Sequence, residues 1–232
     1  MRSMLPAVPA SALAPLVAPL VAPLAAALLA VAPAPAAAEG VAFDDAWQEQ
    51  GFLRLRTNDY GLEGDALRVA SDGTFSLLWR PVPEALRGAT SASWDWSVTE
   101  GVPATDLGVR GGDDRNLALY FAWTDAETAA SADPSRAARL LRAPSTRVLV
   151  YVWGDDEAPG TVLDSPYLPG LRTVLLRPAG TGDASEAVDL AADFARAFDG
   201  EAPGVLVGLG VSADSDDTET RIRAAVEGLA LR

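Results

Sequence analysis

The stretch Arg147-Val-Leu-Val-Tyr-Val-Trp153 is apolar at every position after the first. Side chains alternate between the two faces of a β-strand, so a strand that is apolar at both parities needs cover on both faces. The stretch Asn116–Trp123 has the same pattern after its first residue. Two such segments predict two central strands within a layered sheet structure, and they say more about the fold than any other part of the chain.

Seven further short apolar runs lie on either side of these two segments, and clusters of Gly, Pro, Asp or Ser separate them. Runs of this kind are typical of strands. They are Phe52–Arg56, Ala66–Ala70, Thr74–Arg80, Ser91–Val98, Arg172–Arg177, Gly204–Ser212 and Arg221–Leu231. Nine strands that do not alternate with helices predict an all-β fold, a single antiparallel β-sandwich.

Helical periodicity is confined to two stretches. In Asp183–Phe198 the apolar residues recur at helical spacing, with Asp183 or Ser185 as the N-cap and Gly200 after the end. A shorter helix is predicted at Pro134–Arg142. The sandwich is therefore expected to carry one flanking short helix near Asp189–Phe198.

Residues 1–38 hold a single charge, at Arg2, and end in Ala36-Ala37-Ala38 before Glu39. A basic start, an apolar middle and small residues before a cleavage point predict a secretory signal peptide. A membrane anchor is the alternative, and seven prolines between Pro6 and Pro35 argue against a spanning helix. We expect residues 1–38 to be cleaved, leaving residues 39–232 as one β-sandwich domain without a membrane span, periplasmic or secreted in a bacterium.

The side chains that the sequence lacks, together with its net charge, exclude several classes of function. The sequence has no histidine, no cysteine and no lysine, so catalytic triads, cysteine nucleophiles, Schiff-base lysines and the common zinc sites are all ruled out. Without Arg2, 17 arginines face 32 acidic residues, a net charge of −15. Such a surface repels nucleic acid, which is not expected as a partner.

Two tryptophans are candidates for ligand contacts. Trp123 and Trp153 each end a predicted strand and are followed within a few residues by acids, at Asp125 and Asp155. An indole at the end of a strand beside carboxylates is a better candidate for a ligand contact than the other tryptophans, and it could stack on a sugar ring. The alternative is burial in the core, which we prefer for the pair in Trp94-Asp95-Trp96.

Paired acids in turns are the candidates for a metal site. Asp214, Asp216 and Asp217 lie close together in Asp214-Ser-Asp-Asp-Thr218, which lacks the glycine that an EF-hand loop needs. Carboxylate oxygens suit calcium, and calcium is the cofactor that this loop would take. We prefer a solvated acidic turn without any metal, so no cofactor is expected and calcium is the alternative.

The order of motifs along the chain resembles the bacterial family known as domain of unknown function 3047. The motifs that carry the resemblance are Phe43-Asp44 with Trp47, Leu67–Ser71, Trp94-Asp95-Trp96, Gly112-Asp113-Asp114 before Leu117–Trp123, Leu149–Trp153, Pro159–Thr161, Ser165–Tyr167, Ala192–Phe198 and Asp214–Thr218. The resemblance implies a jelly-roll-like β-sandwich, similar to galactose-binding and carbohydrate-binding modules. It implies no established activity. Asp217 stands where the family has Asn, so a site that this loop forms in relatives would be altered here.

The function predicted from these features is that of a secreted, non-catalytic β-sandwich that binds a carbohydrate or an envelope glycan. Its aromatic contacts would come from Trp123, Trp153 and Tyr167, and its hydrogen-bond acceptors from Asp113, Asp114 and Asp155. No catalytic residue is assigned. A carboxylate-dependent glycan hydrolase or lyase is the first alternative. A structural or protein-interaction module of the envelope is the second.

Overall fold

The computed structural model describes residues 37–52, 55–131 and 137–232. The predicted signal peptide, apart from its last two residues, lies outside these ranges. The strands within them are β1 (Glu39–Gly40), β2 (Gln48–Gly51), β3 (Asp59–Leu62), β4 (Ala66–Asp72), β5 (Phe75–Pro81), β6 (Ser91–Glu100), β7 (Arg115–Thr124), β8 (Arg147–Trp153), β9 (Val162–Asp164), β10 (Leu171–Arg177), β11 (Gly182–Asp189), β12 (Val205–Asp214) and β13 (Arg221–Leu231). The helices are α1 (Ala126–Ser131), α2 (Ala137–Leu140) and α3 (Leu190–Ala197), with a 3-10 turn at Glu84–Leu86.

The strands form two sheets. The six-stranded sheet has the order β11-β6-β13-β4-β3, with β1 paired to β13, and the seven-stranded sheet has the order β2-β5-β12-β7-β8-β10-β9. The predicted all-β sandwich is confirmed, and β7 and β8 lie in the interior of their sheet as expected. The sandwich is not wholly antiparallel, because β8 and β10 run parallel.

Eight of the nine predicted strands are present, and five more were not predicted. The ninth, Phe52–Arg56, lies partly outside the described residues, and the described residues Phe52, Leu55 and Arg56 are not in a strand. Four of the five additional strands, β1, β2, β3 and β9, have two to four residues each, and the fifth is β11. Segments this short show no clear alternation, so their sequences carry no strand signal.

The main core lies between the two sheets and is rich in tryptophan. Trp94 and Trp96 are each 2% exposed, which confirms their predicted place in the interior. The ring of Trp96 lies 5.5 Å from that of Trp94 and 5.5 Å from that of Trp153. A second apolar cluster, which includes Leu107 and Leu140, covers the outer face of the seven-stranded sheet. Cover on both faces explains why β7 and β8 are apolar at both parities.

The predicted helix at Asp183–Phe198 is wrong in its first half. Residues Gly182–Asp189 form β11, an edge strand that pairs with β6, and only Leu190–Ala197 is helical. Burial alternates residue by residue along β11, as in a strand with one covered face. The helix is capped by Asp189, whose carboxylate accepts a hydrogen bond from the backbone N–H of Ala192 at 2.9 Å. The helix near Asp189–Phe198 is thus confirmed, and the proposed caps at Asp183 and Ser185 are not.

The shorter helix predicted at Pro134–Arg142 appears as α2, which covers Ala137–Leu140. Residues 132–136 are outside the described ranges. Among the described residues, no helix has both the length and the apolar character needed to cross a membrane.

Two tyrosines, the buried Tyr151 and the half-buried Tyr60, make the fold sensitive to alkali. The Tyr151 hydroxyl donates to the Asp193 carboxylate at 2.9 Å, and the Tyr60 hydroxyl donates to the Ser76 carbonyl at 2.8 Å. Burial raises the pKa of both hydroxyls above the ordinary value of 10.0, and Asp193 adds to the effect at Tyr151. The unfolded chain therefore loses these protons first. Their contribution to stability is complete below pH 10 and is lost as the pH rises above it.

We expect the melting temperature to fall steeply above about pH 10. With no lysine or cysteine in the chain, tyrosine is the side chain that titrates just above that pH. Phenolate absorbance measured against pH should show Tyr60 and Tyr151 ionising only as the protein unfolds. The Tyr151→Phe variant should melt at a lower temperature at pH 7 and depend less on pH above 10. Ionisation of all four tyrosines in the folded protein near pH 10 would contradict this expectation.

Candidate functional site

A cleft of about 510 Å³ lies on the outer face of the seven-stranded sheet. Its floor is formed by side chains from four strands of that sheet, Leu77, Tyr120, Val150 and Thr173. Residues from loops and strand ends complete its lining, which combines apolar and aromatic side chains with charged ones. A concave site with apolar walls and a few convergent polar groups is the usual form of a ligand-binding site.

Strand pairing brings two distant acidic segments together at one end of the cleft. Strands β7 and β12 are antiparallel neighbours, and Arg115 at the start of β7 pairs with Asp214 at the end of β12. Asp113 therefore lies beside Asp214, and Asp216 and Asp217 follow in the next turn. These four carboxylates all line the cleft.

Arg115 is the buried cation at the centre of this end. One guanidinium nitrogen donates to Asp214 Oδ2 at 3.1 Å and also to the backbone carbonyl of Asp113. The other donates to the Tyr120 hydroxyl at 2.6 Å and to Ser212 Oγ at 3.3 Å. These four hydrogen bonds fix the guanidinium group, so Arg115 is an immobile positive charge next to the acidic residues.

Asp214 is 2% exposed and uses only one of its two oxygens for hydrogen bonding. Within the described part of the chain, its Oδ1 atom is buried and has no hydrogen-bond partner. Burial raises the pKa of Asp214 well above the ordinary value; Arg115 lowers it, and the neighbouring Asp216 raises it further. This carboxyl group is thus poorly compensated by the protein around it.

Asp114 holds the β12–β13 turn in place. It is fully buried, and its carboxylate accepts hydrogen bonds from the backbone N–H groups of Asp217, at 3.3 Å, and Thr218, at 2.7 Å. One oxygen each from Asp114, Asp214 and Asp216 lie within 4.8 Å of one another. Two of the predicted metal ligands, Asp214 and Asp216, belong to this cluster. The third, Asp217, is exposed and lies outside the cluster, and Asp114 is the third member instead.

Tyr167 stands at the rim of the cleft, on the loop between β9 and β10. Its hydroxyl donates to Asp113 Oδ1 at 2.8 Å and accepts from the backbone N–H of Gly111 at 3.0 Å. The guanidinium carbon of Arg110 lies 5.0 Å from the centre of its ring. Although it is fixed in this way, the residue is 45% exposed. Tyr167 and Asp113 therefore lie together at one end of the cleft. Asp114, the third residue predicted for this part of the site, is fully buried and does not line the cleft, because its carboxylate is engaged by the backbone of the β12–β13 turn.

The roles predicted for Trp123 and Trp153 are corrected by the structure. They are 3% and 5% exposed and belong to the core between the sheets. The indole of Trp123 packs edge-on against Phe194 of α3, with ring centres 5.2 Å apart, and Trp153 packs against Trp96. Both side chains point from their strands into the core between the sheets, so neither indole ring faces the cleft.

Asp155 is also removed from the predicted site. It is 2% exposed and does not line the cleft. Its Oδ2 accepts from the backbone N–H of Leu107 at 3.1 Å, and its Oδ1 accepts from those of Asp156 and Glu157 at 2.6 and 3.1 Å. Asp155 shapes a turn, and its oxygens are engaged by the backbone.

The sequence analysis missed the aromatic wall of the cleft and its central cation. Phe52 and Phe75 line the cleft, with ring centres 5.0 Å apart, and Arg110 and Arg142 line it as well. A signal for Arg115 was present: it is a charged residue that directly follows two acids and opens a strand with no other charge. A charged residue at the end of a buried strand needs an opposite charge nearby. Asp214, which ends the equally apolar strand β12, provides that charge.

Comparison with known proteins gives a family and distant structural likenesses. A family model described as "Protein of unknown function (DUF3047)" matches residues 45–230. No curated protein matches the chain. A xyloglucanase domain of NopAA, a type three effector from Sinorhizobium fredii, in complex with cellobiose, is 10% identical, with 80% of this chain and 92% of that chain covered and a TM-score of 0.44. The family 11 xylanase from Neocallimastix patriciarum is 11% identical, with 80% and 99% covered and a TM-score of 0.34. At these identities the likeness concerns fold alone.

Proposed function

This chain belongs to the DUF3047 family, whose function is unknown, and we propose from its own cleft that it binds a carbohydrate chain there without catalysing a reaction. The volume of about 510 Å³ falls within the usual range of ~300–1,000 Å³ for small-molecule sites. It is enough for a short oligosaccharide segment. Each sugar ring has an apolar face of C–H groups and a rim of hydroxyls, and the cleft offers surfaces for both.

Tyr167 is the observation that carries the proposal. An aromatic ring that is 45% exposed yet fixed by two hydrogen bonds is preorganised to stack on a flat apolar face. Its neighbour Asp113 has a partly exposed carboxylate, with 26% of its side chain accessible. Tyr167 could therefore stack on a sugar ring while the adjacent Asp113 accepts a hydrogen bond from a hydroxyl group of the same ring.

The charges at this end favour a neutral ligand. Asp113, Asp214, Asp216 and Asp217 line it, so a phosphate or sulfate group placed there would meet like charge. Carboxylates accept hydrogen bonds from hydroxyl groups, and Arg110 and Arg142 donate to hydroxyl oxygens. A neutral polyhydroxylated chain satisfies both sets of groups.

We expect Tyr167→Ala to weaken binding about tenfold, the effect of losing one aromatic stacking contact. Affinity gel electrophoresis against a panel of polysaccharides measures this directly. Leu62→Ala is the matched control, because Leu62 is 37% exposed and lies on β3, in the other sheet. It should migrate like the unmodified protein. Equal retardation of the Tyr167→Ala variant, or no retardation of the unmodified protein by any polysaccharide, would refute the proposal.

A glycan hydrolase or lyase is the second candidate function, and the convergence of Asp113 and Asp214 in the cleft favours it. Release of reducing ends from the polysaccharides that bind, abolished by Asp113→Asn, would establish it in place of binding alone. Binding without any such release supports the first proposal.

A further inference from the structure

We propose that Asp114, Asp214 and Asp216 bind a divalent cation of the calcium type at the acidic end of the cleft. The inference does not depend on which ligand the cleft takes. It rests on three carboxylate oxygens within 4.8 Å of one another, two of them from buried residues. They come from both sides of the β7–β12 pairing, so the fold itself holds them together.

The unpartnered oxygen of Asp214 is the independent sign of a missing ligand. Oδ2 is satisfied by Arg115, but Oδ1 is buried and finds no hydrogen-bond donor among the residues that the structure describes. A buried carboxylate oxygen without a partner costs free energy. The carboxylates of Asp114 and Asp216 lie close to the Asp214 carboxylate, and their negative charge makes that cost larger.

The local charge balance also calls for a cation. Five carboxylates, from Asp113, Asp114, Asp214, Asp216 and Asp217, meet one buried guanidinium, that of Arg115. The Asp114 carboxylate has backbone N–H donors but no ion pair among the described residues. A divalent ion among the three clustered oxygens would offset two of the remaining negative charges. A proton shared between Asp214 and Asp216 would offset only one.

The ligand chemistry selects the kind of ion. All three ligands are oxygens, and the chain contains no histidine or cysteine, so zinc and other softer ions are disfavoured. Calcium accepts six to eight oxygen ligands in loose geometry, whereas magnesium requires a tight octahedron. Asp214 and Asp216 also line the cleft. The remaining coordination positions are thus open to water or to hydroxyl groups of a ligand.

The test is calorimetric titration of the EDTA-treated, desalted protein with calcium chloride, together with melting curves. We expect about one ion per chain and a rise in melting temperature of about 4 °C at ten times the dissociation constant. Asp216→Asn should weaken calcium binding at least tenfold and remove most of that rise. Asp216 is only partly buried and makes no ion pair among the described residues, so this variant keeps the fold.

Asp45→Asn is the matched control, since Asp45 is an exposed acid outside the cluster. It should bind calcium and melt like the unmodified protein. The proposal is overturned if neither heat nor a shift in melting temperature is seen up to about 10 mM calcium, well above the dissociation constants of weak extracellular sites. It is equally overturned if Asp216→Asn responds to calcium as Asp45→Asn does. Stabilisation by acidification to pH 5 without any response to calcium would assign the cluster to a shared proton instead.

Discussion

Replacing Arg115 by methionine is expected to lower the free energy of unfolding by about 3–5 kcal/mol, the usual cost of removing one partner from a buried ion pair. The variant leaves the buried Asp214 with no opposite charge, and it removes the Arg115 donor from the hydroxyls of Tyr120 and Ser212, which keep only their hydrogen bond to each other at 3.1 Å. Methionine has similar length, so the change removes charge and hydrogen bonds more than volume. Urea unfolding followed by tryptophan fluorescence measures the loss.

Two further variants separate this effect from a general loss of arginine. Arg68 forms an exposed ion pair with Glu63, and 66% of its side chain is accessible, so Arg68→Met should change stability little. Adding Asp214→Asn to the Arg115→Met variant removes the uncompensated charge and should recover part of the loss. A loss at Arg115 no larger than that at Arg68 would show that the charge cluster does not stabilise the fold.

Gly208→Ala is expected to destabilise the protein by about 3 kcal/mol or more, at the upper end of the cost of overpacking. Gly208 lies in β12, and a Cβ atom there would stand 1.8 Å from Cζ2 of Trp79. The indole of Trp79 is 2% exposed and belongs to the cluster on the outer face of the sheet. The ring cannot move aside without displacing other members of this cluster.

Gly88→Ala is the matched control, since a Cβ atom at Gly88 would meet nothing within 4 Å. Its free energy of unfolding should change by less than about 0.5 kcal/mol. In a Trp79→Leu background, Gly208→Ala should cost much less than it does alone, because the clashing ring is gone. Equal costs in the two backgrounds would place the strain elsewhere.

Much of the fold could be predicted because apolar pattern and strand position are closely linked. Strands β7 and β8 are apolar at both parities since a second cluster covers the outer face of their sheet. The error at Asp183–Asp189 arose where small and acidic residues fit both a helix and an edge strand, and only pairing with β6 decided between them.

The site was harder to predict than the fold, for two physical reasons. When both parities of a strand are apolar, the sequence does not say which one faces the main core. Trp123 shares its parity with the inward-facing Phe121, and Tyr120, of the other parity, lies in the cleft. The meeting of Asp113 with Asp214 depends on the pairing of β7 with β12, about a hundred residues apart, which no local pattern encodes.

The most direct test of carbohydrate binding in this cleft is a crystal structure of the protein with the oligosaccharide that binds most tightly in the affinity gels. We predict a sugar ring within about 4 Å of the Tyr167 ring, with a hydroxyl group hydrogen-bonded to Asp113. An oligosaccharide bound instead on the six-stranded sheet, for example in the shallow groove lined by Tyr60 and Arg223, would contradict the account.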